Sequence, residues 1–169
     1  EEYTCDTLLL SVGLIPENEL SDKLGVQLHP VTGGPVVNES LETSIPGIFA
    51  CGNVLHVHDL VDFVSQEATM AGTCAAAYVK TGRTEETEEI PVKCGYGVRY
   101  TVPAKIRPAY MEEKLPVRFR VGQVYQKASI TVRSGDTVLF EKKTSHNGTG
   151  RDGDGIHKKR FSLTGQYRE

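Results

Sequence analysis

The segment His56-Val57-His58-Asp59 carries the side chains best suited to chemistry. Two imidazoles separated by one residue, with a carboxylate beside them, could offer two or three ligands to a metal ion. No further cluster of His or Cys completes such a site, because His29, His146 and His157 lie in predicted loops. The segment is also compatible with histidines whose hydrogen bonds are satisfied inside a loop, so we assign no metal ligand and no catalytic residue from it.

The cysteines indicate a reducing compartment. Cys5, Cys51, Cys74 and Cys94 contain no Cys-x-x-Cys pair, which argues against a structural zinc site and against a thioredoxin-like redox pair. Cys51 and Cys74 lie in apolar runs and are predicted to be reduced core thiols. The first residues are acidic where a signal peptide is basic, and no run of about 18 apolar residues is present. We therefore expect a cytoplasmic protein.

The composition is that of a globular protein. Of the 169 residues, 38% are hydrophobic and 24% are charged, which excludes wholesale disorder. The net charge of −3 provides no general attraction to nucleic acid or to anionic lipid. The chain starts almost directly in an apolar run without an initiator methionine, so we expect it to be part of a longer protein.

Two short apolar runs, each closed by a glycine, predict strands buried on both faces, as in a parallel sheet. They are residues 6–12, before Gly13, and residues 48–51, before Gly52. Between them, residues 17–24 predict a short helix with Gly25 as its stop. Residues 26–37 contain two prolines and two adjacent glycines and predict a hairpin-like excursion.

A long helix is predicted over residues 59–80, with Asp59 as its N-cap. Its apolar stripe has members at intervals of three or four residues, namely Leu60, Val64, Ala68, Ala71, Ala75 and Tyr78. A second row consists only of small residues, Ala68, Gly72 and Ala76. Because small residues let another backbone approach closely, we expect this helix to be covered on more than one side.

The remainder of the chain predicts three further regions. Residues 81–93 are an acidic, apolar-poor linker. Residues 94–143 alternate apolar and polar positions, which predicts a small antiparallel β module with a turn at Ser134-Gly135-Asp136. Residues 144–169 follow neither period, are rich in glycine and are expected to form a disordered tail.

Residues 8–18 and 43–54 resemble two motifs of the pyridine-nucleotide-disulfide oxidoreductase family, flavoproteins with one FAD domain and one NAD(P) domain. The family's first motif is a buried strand ending hydrophobic-x-Gly-Arg-x-Pro-Asn. Its second motif reads Thr-x-x-x-Gly-Ile-(Phe/Tyr)-Ala-x-Gly-Asp. Both occur here in order before a long helix that contains Ala and Gly. The resemblance covers residues 1–80, and residues 56–64 are similar to a subgroup found beside anaerobic glycerol-3-phosphate dehydrogenase-like proteins.

The resemblance implies an α/β fold: an incomplete FAD-binding, Rossmann-like domain with one long helix, followed by the small antiparallel β module. A glycine after a strand lets a cofactor approach the main chain, and a helix N-terminus attracts an electron-rich atom. On this basis the resemblance implies that the FAD-binding residues are Gly13, Pro16, Gly52, Asn53, Leu60, Val61 and Asp62. It also adds a third interpretation of His56 and His58, as histidines near the flavin or substrate.

Two positions depart from the family's pattern. Asn53 replaces the usual Asp of the second motif, so a hydrogen bond to a ribityl hydroxyl is retained while the charge is lost. Leu14 replaces the usual Arg of the first motif, which removes a polar contact.

The chain has no Gly-x-Gly-x-x-Gly after a strand at its start, so we expect it to lack the loops that would bind the pyrophosphates of FAD and of NAD(P). We therefore predict a fragment of an FAD-dependent NAD(P)H oxidoreductase that supplies the ribityl- and flavin-facing edge of the FAD site, with the NAD(P) site outside this chain. The alternative is a non-catalytic β module that docks a partner, such as a dehydrogenase subunit, on an incomplete flavoprotein domain. Homo-oligomerisation stays open, and neither nucleic acid nor membrane is expected as a partner.

Overall fold

The computed structural model describes residue 2 and residues 4–7, 13–82, 87–111, 114–146 and 156–157. Residues 8–12 of the strand predicted at 6–12 lie outside the described residues. The parallel sheet that this strand would begin is therefore not described either. Every strand pair among the described residues is antiparallel. The mixture of helix and small antiparallel sheets agrees with an α/β fragment.

The first half of the chain is built from helices and tight turns. Helix α1 spans Glu19–Lys23, a 3₁₀ helix spans Gly52–Val54 and helix α2 spans Val61–Thr81. Helix α1 ends just before Gly25, which has φ +77°, as predicted. The predicted hairpin is also confirmed, because Leu28 and Pro35 form an antiparallel bridge.

The strand predicted at 48–51 is wrong. Only a single antiparallel bridge forms there, between Glu42 and Phe49. The segment folds back on the residues immediately before it: the Thr43 N–H donates to the Ile48 carbonyl and the Ala50 N–H donates to the Leu41 carbonyl. These local bonds satisfy the backbone that a sheet would otherwise have to satisfy.

The N-cap of α2 is Leu60 rather than the predicted Asp59. Leu60 has an extended backbone, with φ −133° and ψ 138°, and no side chain caps the helix. The Asp59 carboxylate instead accepts a hydrogen bond from the guanidinium of Arg120 at 3.0 Å. The Asp59 carboxylate therefore forms an ion pair with the β module instead of capping the helix.

The buried face of α2 also differs from the predicted stripe. Glu67 and Ala71 are its buried residues, flanked by half-buried neighbours at helical spacing: Phe63, Val64, Met70, Cys74, Ala75 and Tyr78. Leu60 and Ala68 are exposed, as are Gly72 and Ala76 of the small-residue row. Four members of the predicted stripe do lie on the buried face, namely Val64, Ala71, Ala75 and Tyr78. The prediction was wrong for Leu60 and Ala68, and it left out Glu67 because this residue is charged.

The second half of the chain consists of short strands joined in antiparallel pairs. They are β1 Ile90–Pro91, β2 Val98–Val102, β3 Lys105–Ile106, β4 Lys114–Leu115, β5 Arg118–Val121, β6 Gln126–Ser134, β7 Thr137–His146 and β8 Ile156–His157. The pairs are β1–β3, β2–β5, β4–β8 and β6–β7. The predicted antiparallel pairing and the turn after Ser134 are therefore confirmed, although the strands form four two-stranded sheets.

Strands extend beyond the predicted limits of the β module at both ends. Strand β1 begins at Ile90, inside the predicted linker, and β7 continues to His146, inside the predicted tail. Strand β8 also falls in that tail, where it pairs with β4. The rest of the tail lies outside the described residues, and the domain boundaries stay predictions.

The two halves of the chain share a hydrophobic core. Tyr100 and Val102 of β2 pack in one cluster with residues of the first half, namely Val37, Leu41, Ala50, Leu55 and Ala71. A second cluster lies within the β module and includes Val92, Ile106, Met111, Leu115, Val117 and Val132. Met70 of α2 packs against both clusters. The β module is therefore anchored on α2 and on the turns that precede it.

Candidate functional site

Gly52 forms a tight turn directly against α2. It is buried and has φ +70°, a conformation that favours glycine. A Cβ at this position would lie 3.3 Å from Cγ1 of Val64. Its carbonyl accepts hydrogen bonds from the N–H groups of Leu55 and His56, at 2.9 and 3.1 Å. The predicted glycine therefore lies in a buried turn whose N–H and carbonyl both form hydrogen bonds within the chain.

Asn53 follows as an exposed residue. Its Oδ1 accepts a hydrogen bond from the His58 N–H at 3.2 Å, which ties the 3₁₀ helix to the loop that leads into α2. An exposed carboxamide can both donate to and accept from a ligand hydroxyl.

The N-terminus of α2 is open to solvent. Leu60 and Val61 are 57% and 75% exposed, and Asp62 is exposed as well. No described side chain caps this helix, although the Phe63 N–H reaches the Leu60 carbonyl at 3.2 Å. The positive end of a helix of 21 residues is therefore presented beside the Gly52 turn.

The first sequence motif reaches this region through one amide. Gly13 is exposed with φ +83° and Pro16 is half-buried. Two residues after Pro16, the Asn18 Nδ2 donates to the carbonyls of Gly33 and Val54, at 3.0 and 2.8 Å. The structure thus brings Gly52, Asn53 and the α2 N-terminus together and connects the first motif to them through Asn18.

A buried carboxylate lies beneath the Gly52 turn. Glu67 is 0% exposed. Its Oε2 accepts from the Gly52 N–H at 2.6 Å and lies 2.9 Å from the His58 Nε2. Its Oε1 lies 3.2 Å from the His56 Nε2 and 3.3 Å from the Arg118 Nη1. We call these four side chains, Glu67, His56, His58 and Arg118, the Glu67 cluster.

The ionised state of Glu67 determines which imidazole nitrogens of the cluster donate hydrogen bonds. Burial acts to raise the pKa of Glu67, but the hydrogen bonds from His56 and His58 outweigh it and lower this pKa to about 2. An ionised carboxylate only accepts, so each imidazole donates through Nε2. The His56 Nδ1 lies 3.5 Å from the Tyr100 hydroxyl.

The same carboxylate affects a neighbouring thiol. Burial raises the pKa of Cys51, and the negative charge of Glu67 raises it further. Cys51 is therefore held as a neutral thiol beside the Gly52 turn, unsuited to act as a nucleophile.

A metal ion is not the best occupant of the Glu67 cluster. Ligand atoms of His56, His58 and Glu67 do lie within 4.8 Å of one another. However, the Glu67 carboxylate already accepts from the Gly52 amide and lies beside the Arg118 guanidinium, whose positive charge opposes a cation. Of the interpretations of His56 and His58 given above, the geometry favours histidines whose hydrogen bonds are satisfied within the chain.

Strand β5 contributes a second arginine. The Arg120 Nη2 donates to the Val57 carbonyl at 3.1 Å and to the Asp59 carboxylate at 3.0 Å. Its Nε donates to the Tyr100 hydroxyl at 3.2 Å. Burial would lower the pKa of Arg120, but its bonds to Tyr100 and Asp59 raise it.

Glu67, Arg118 and Arg120 were not predicted from the sequence. One signal for Glu67 was present, since it falls three residues after Val64 and four before Ala71, on the buried stripe of α2. A carboxylate at a core position requires partners, and two histidines lay nearby in the sequence. The arginines carry no comparable signal because they arrive from a distant strand.

A glycine turn that leads into the open N-terminus of a long helix is an arrangement by which proteins bind electron-rich ligands on the main chain. The sequence profile of the family described as pyridine nucleotide-disulphide oxidoreductase matches residues 1–80 of this chain. Residues 1–80 of the chain therefore belong to the pyridine nucleotide-disulphide oxidoreductase family.

Similar curated proteins carry oxidoreductase names. NAD(P)H sulfur oxidoreductase (CoA-dependent) of Pyrococcus furiosus is 26% identical over 137 residues, covering 64% of this chain and 31% of the relative. Mitochondrial dihydrolipoyl dehydrogenase of Rattus norvegicus is 31% identical over 157 residues, covering 89% of this chain and 29% of the relative. The chain thus spans about three-tenths of the length of these relatives. No solved structure matches.

Among the described residues, no helix is long and apolar enough to cross a membrane.

Proposed function

We propose that this chain supplies the ribityl- and flavin-facing edge of the FAD site in a longer FAD-dependent NAD(P)H oxidoreductase. The observation that carries the proposal is the buried left-handed turn at Gly52, followed by the exposed Asn53 and the uncapped N-terminus of α2. Membership of the family supports FAD as the cofactor. The free cysteines favour a cytoplasmic location for the whole protein.

Each residue of this edge has a role that its geometry permits. Gly52 adopts a left-handed turn that favours glycine, and this turn places the exposed Asn53 on the side where a ribityl chain would run. Asn53 hydrogen-bonds a ribityl hydroxyl. The amides of Val61 and Asp62, at the positive end of α2, would stabilise negative charge on the pyrimidine part of a bound flavin. Bound FAD supplies the redox chemistry, with NAD(P)H as reductant.

Asn53→Leu in the intact protein tests the polar contact. The substitution removes one hydrogen bond and leaves a ribityl hydroxyl unpaired, so FAD should bind about tenfold more weakly. Gln66→Leu, which replaces another exposed carboxamide on α2, is the matched control and should bind FAD like the wild type. Titration with FAD, followed by flavin fluorescence, measures the affinity. A wild-type protein that binds no FAD would refute the proposal.

Val61→Pro tests the helix amide. Proline is tolerated at the first helical position, and the extended backbone of Leu60 suits a residue that precedes proline. The variant therefore removes one N–H with little damage to α2, and the midpoint potential of bound flavin should fall. Val61→Ala keeps the N–H and serves as the control. Equal potentials in the two variants would show that this amide does not face the flavin.

A further inference from the structure

We infer that strand β5 of the β module is a positioning element for the flavin-facing edge, acting through Arg118 and Arg120. This inference rests on the proposed function for its ligand, whereas the coupling between strand and edge is a property of the chain itself. Its basis is that Arg120 bonds Val57 and Asp59, in the segment between Gly52 and α2. Arg118 pairs with Glu67 of α2, the carboxylate that accepts from the Gly52 amide.

Arg118 acts through Glu67. The Gly52 amide is held by a carboxylate that is 0% exposed, and such a group is stable only beside compensating charge. The Arg118 guanidinium, 3.3 Å away with its side chain 6% exposed, provides the permanent positive charge of the cluster. Without it, the carboxylate that fixes the Gly52 turn would have only the two imidazoles and one amide as partners.

Arg120 acts on the loop that follows. One nitrogen of its guanidinium bonds both the Val57 carbonyl and the Asp59 carboxylate. Asp59 is the last residue before Leu60, the N-cap of α2. Arg120 therefore fixes the direction from which the chain enters the helix, and with it the position of the first-turn amides.

The pairing of β2 with β5 explains why these side chains converge. Residues 118 and 120 lie two apart on β5 and so point to the same face. Tyr100 is opposite Arg120 in the register and accepts a hydrogen bond from it. The Tyr100 hydroxyl in turn meets the Nδ1 of His56, so the chain of contacts returns to Glu67. Side chains on one face of the β2–β5 sheet thus contact the segment from the Gly52 turn to the start of α2, directly or through Glu67.

Hydrogen exchange of the FAD-free protein tests the coupling without any flavin activity. The intact protein is compared as wild type, Arg118→Met, Arg120→Met and Arg99→Met. Arg99 lies on β2 but is exposed, so its variant is the matched control. We expect faster exchange of amides 52–60 in the first two variants and unchanged exchange in the control. Arg120 is partly exposed, so its variant gives the test if Arg118→Met fails to fold.

Flavin titration completes the experiment. FAD affinity should fall about tenfold in Arg118→Met and Arg120→Met, because a mobile turn must be ordered on binding, and should be unchanged in Arg99→Met. Exchange at 52–60 that stays at the wild-type level would overturn the inference, as would an increase that is equally large across β6 and β7. A wild-type protein without FAD affinity refutes the proposed function, whereas the exchange result still decides the coupling.

Discussion

Two buried ion clusters join the β module to the first half of the chain, and they are built in opposite ways. In the first, which we call the Arg107 clamp, one guanidinium holds the carboxylates of Glu39 and Glu42 at 2.8 and 3.3 Å. In the Glu67 cluster, one carboxylate gathers donors, and one of them is the Gly52 amide of the candidate site. Carboxylates of both clusters accept main-chain N–H groups, but the donors in the clamp, Arg107 and Gly47, lie outside the candidate site, whereas Gly52 belongs to it.

The difference lies in what each cluster does beyond joining the two halves. The Arg107 N–H and Nε both donate to Glu39, whose neighbour Asn38 organises a turn by accepting from the Ser40 N–H. Arg107 also stacks over Tyr110, 5.1 Å from the ring centroid. None of these groups belongs to the candidate site. Breaking the clamp should therefore cost stability, and breaking the Glu67 cluster should cost both stability and FAD affinity.

Arg107→Met should produce the largest loss of stability. It leaves two carboxylates buried without their cation, so the free energy of unfolding should fall by about 3–5 kcal/mol. Urea denaturation of the intact protein measures this change. The triple variant Arg107→Met, Glu39→Gln, Glu42→Gln removes the buried charges as well and should recover part of the loss. If the triple variant is no more stable than the single one, the clamp is not an electrostatic device.

Glu67→Gln should have a smaller effect on stability but a clear effect on FAD. One carboxamide oxygen can still accept a hydrogen bond, so the cost should be about 1–3 kcal/mol. Because the Gly52 amide loses its charged acceptor, the Glu67→Gln variant should bind FAD more weakly than the folded fraction of the Arg107→Met variant. An FAD affinity equal to that of the wild type would erase the distinction between the two clusters.

The pH dependence of stability should expose the same carboxylate. The pKa of Glu67 is lowered from 4.5 to about 2, so the folded state favours its ionised form. The contribution is fully present above the unfolded value of 4.5 and is lost as the pH falls towards 2. The difference in unfolding free energy between wild type and Glu67→Gln should shrink over that interval. If the difference in unfolding free energy grows on acidification, the pKa of Glu67 is not lowered in the folded state.

Asp59→Asn should have the smallest effect. The Asp59 side chain is 50% exposed, and exposed ion pairs contribute less than about 1 kcal/mol. The amide oxygen can still accept from Arg120, so the entry to α2 should be retained and FAD affinity should change little. A thermal melt together with an FAD titration checks both points. A marked loss of FAD affinity would show that the charge of Asp59, rather than its hydrogen bond, orients the loop.

Local structure could be predicted from the sequence more fully than the candidate site could. Helix α1, the hairpin at Leu28 and Pro35 and the long helix α2 follow from glycine positions and apolar spacing, and the structure has them. The strand at 48–51 was mispredicted because a short apolar run is equally apt for a sheet and for a segment that folds back on its neighbour. Its true partner, Leu41 to Thr43, is set by local turns rather than by periodicity.

The candidate site was predictable only where its residues form motifs. Gly52, Asn53 and the start of α2 are contiguous in the sequence, so a family pattern reveals them. Glu67 was not predicted, since a carboxylate in a helix is normally solvated, and only three-dimensional packing shows its burial. Arg118 and Arg120 depend on which strand pairs with β2, and such long-range pairing is not written in either segment alone.

Gly34 gives the molecule a further constraint. A Cβ at this position would lie 1.8 Å from the carbonyl oxygen of Leu55, so the hairpin and the segment after the Gly52 turn meet backbone to backbone. Even alanine at this position would force these two backbones apart.

The shared core has a consequence for a chain that has been cut. If the backbone were cleaved between Gly82 and Thr87, Tyr100 and Val102 would still be packed among residues of the first half. Arg107 would still hold its two carboxylates across the cut. The two pieces should therefore migrate together as a noncovalent pair and separate only in denaturant, which makes this junction a natural place to divide the protein for complementation.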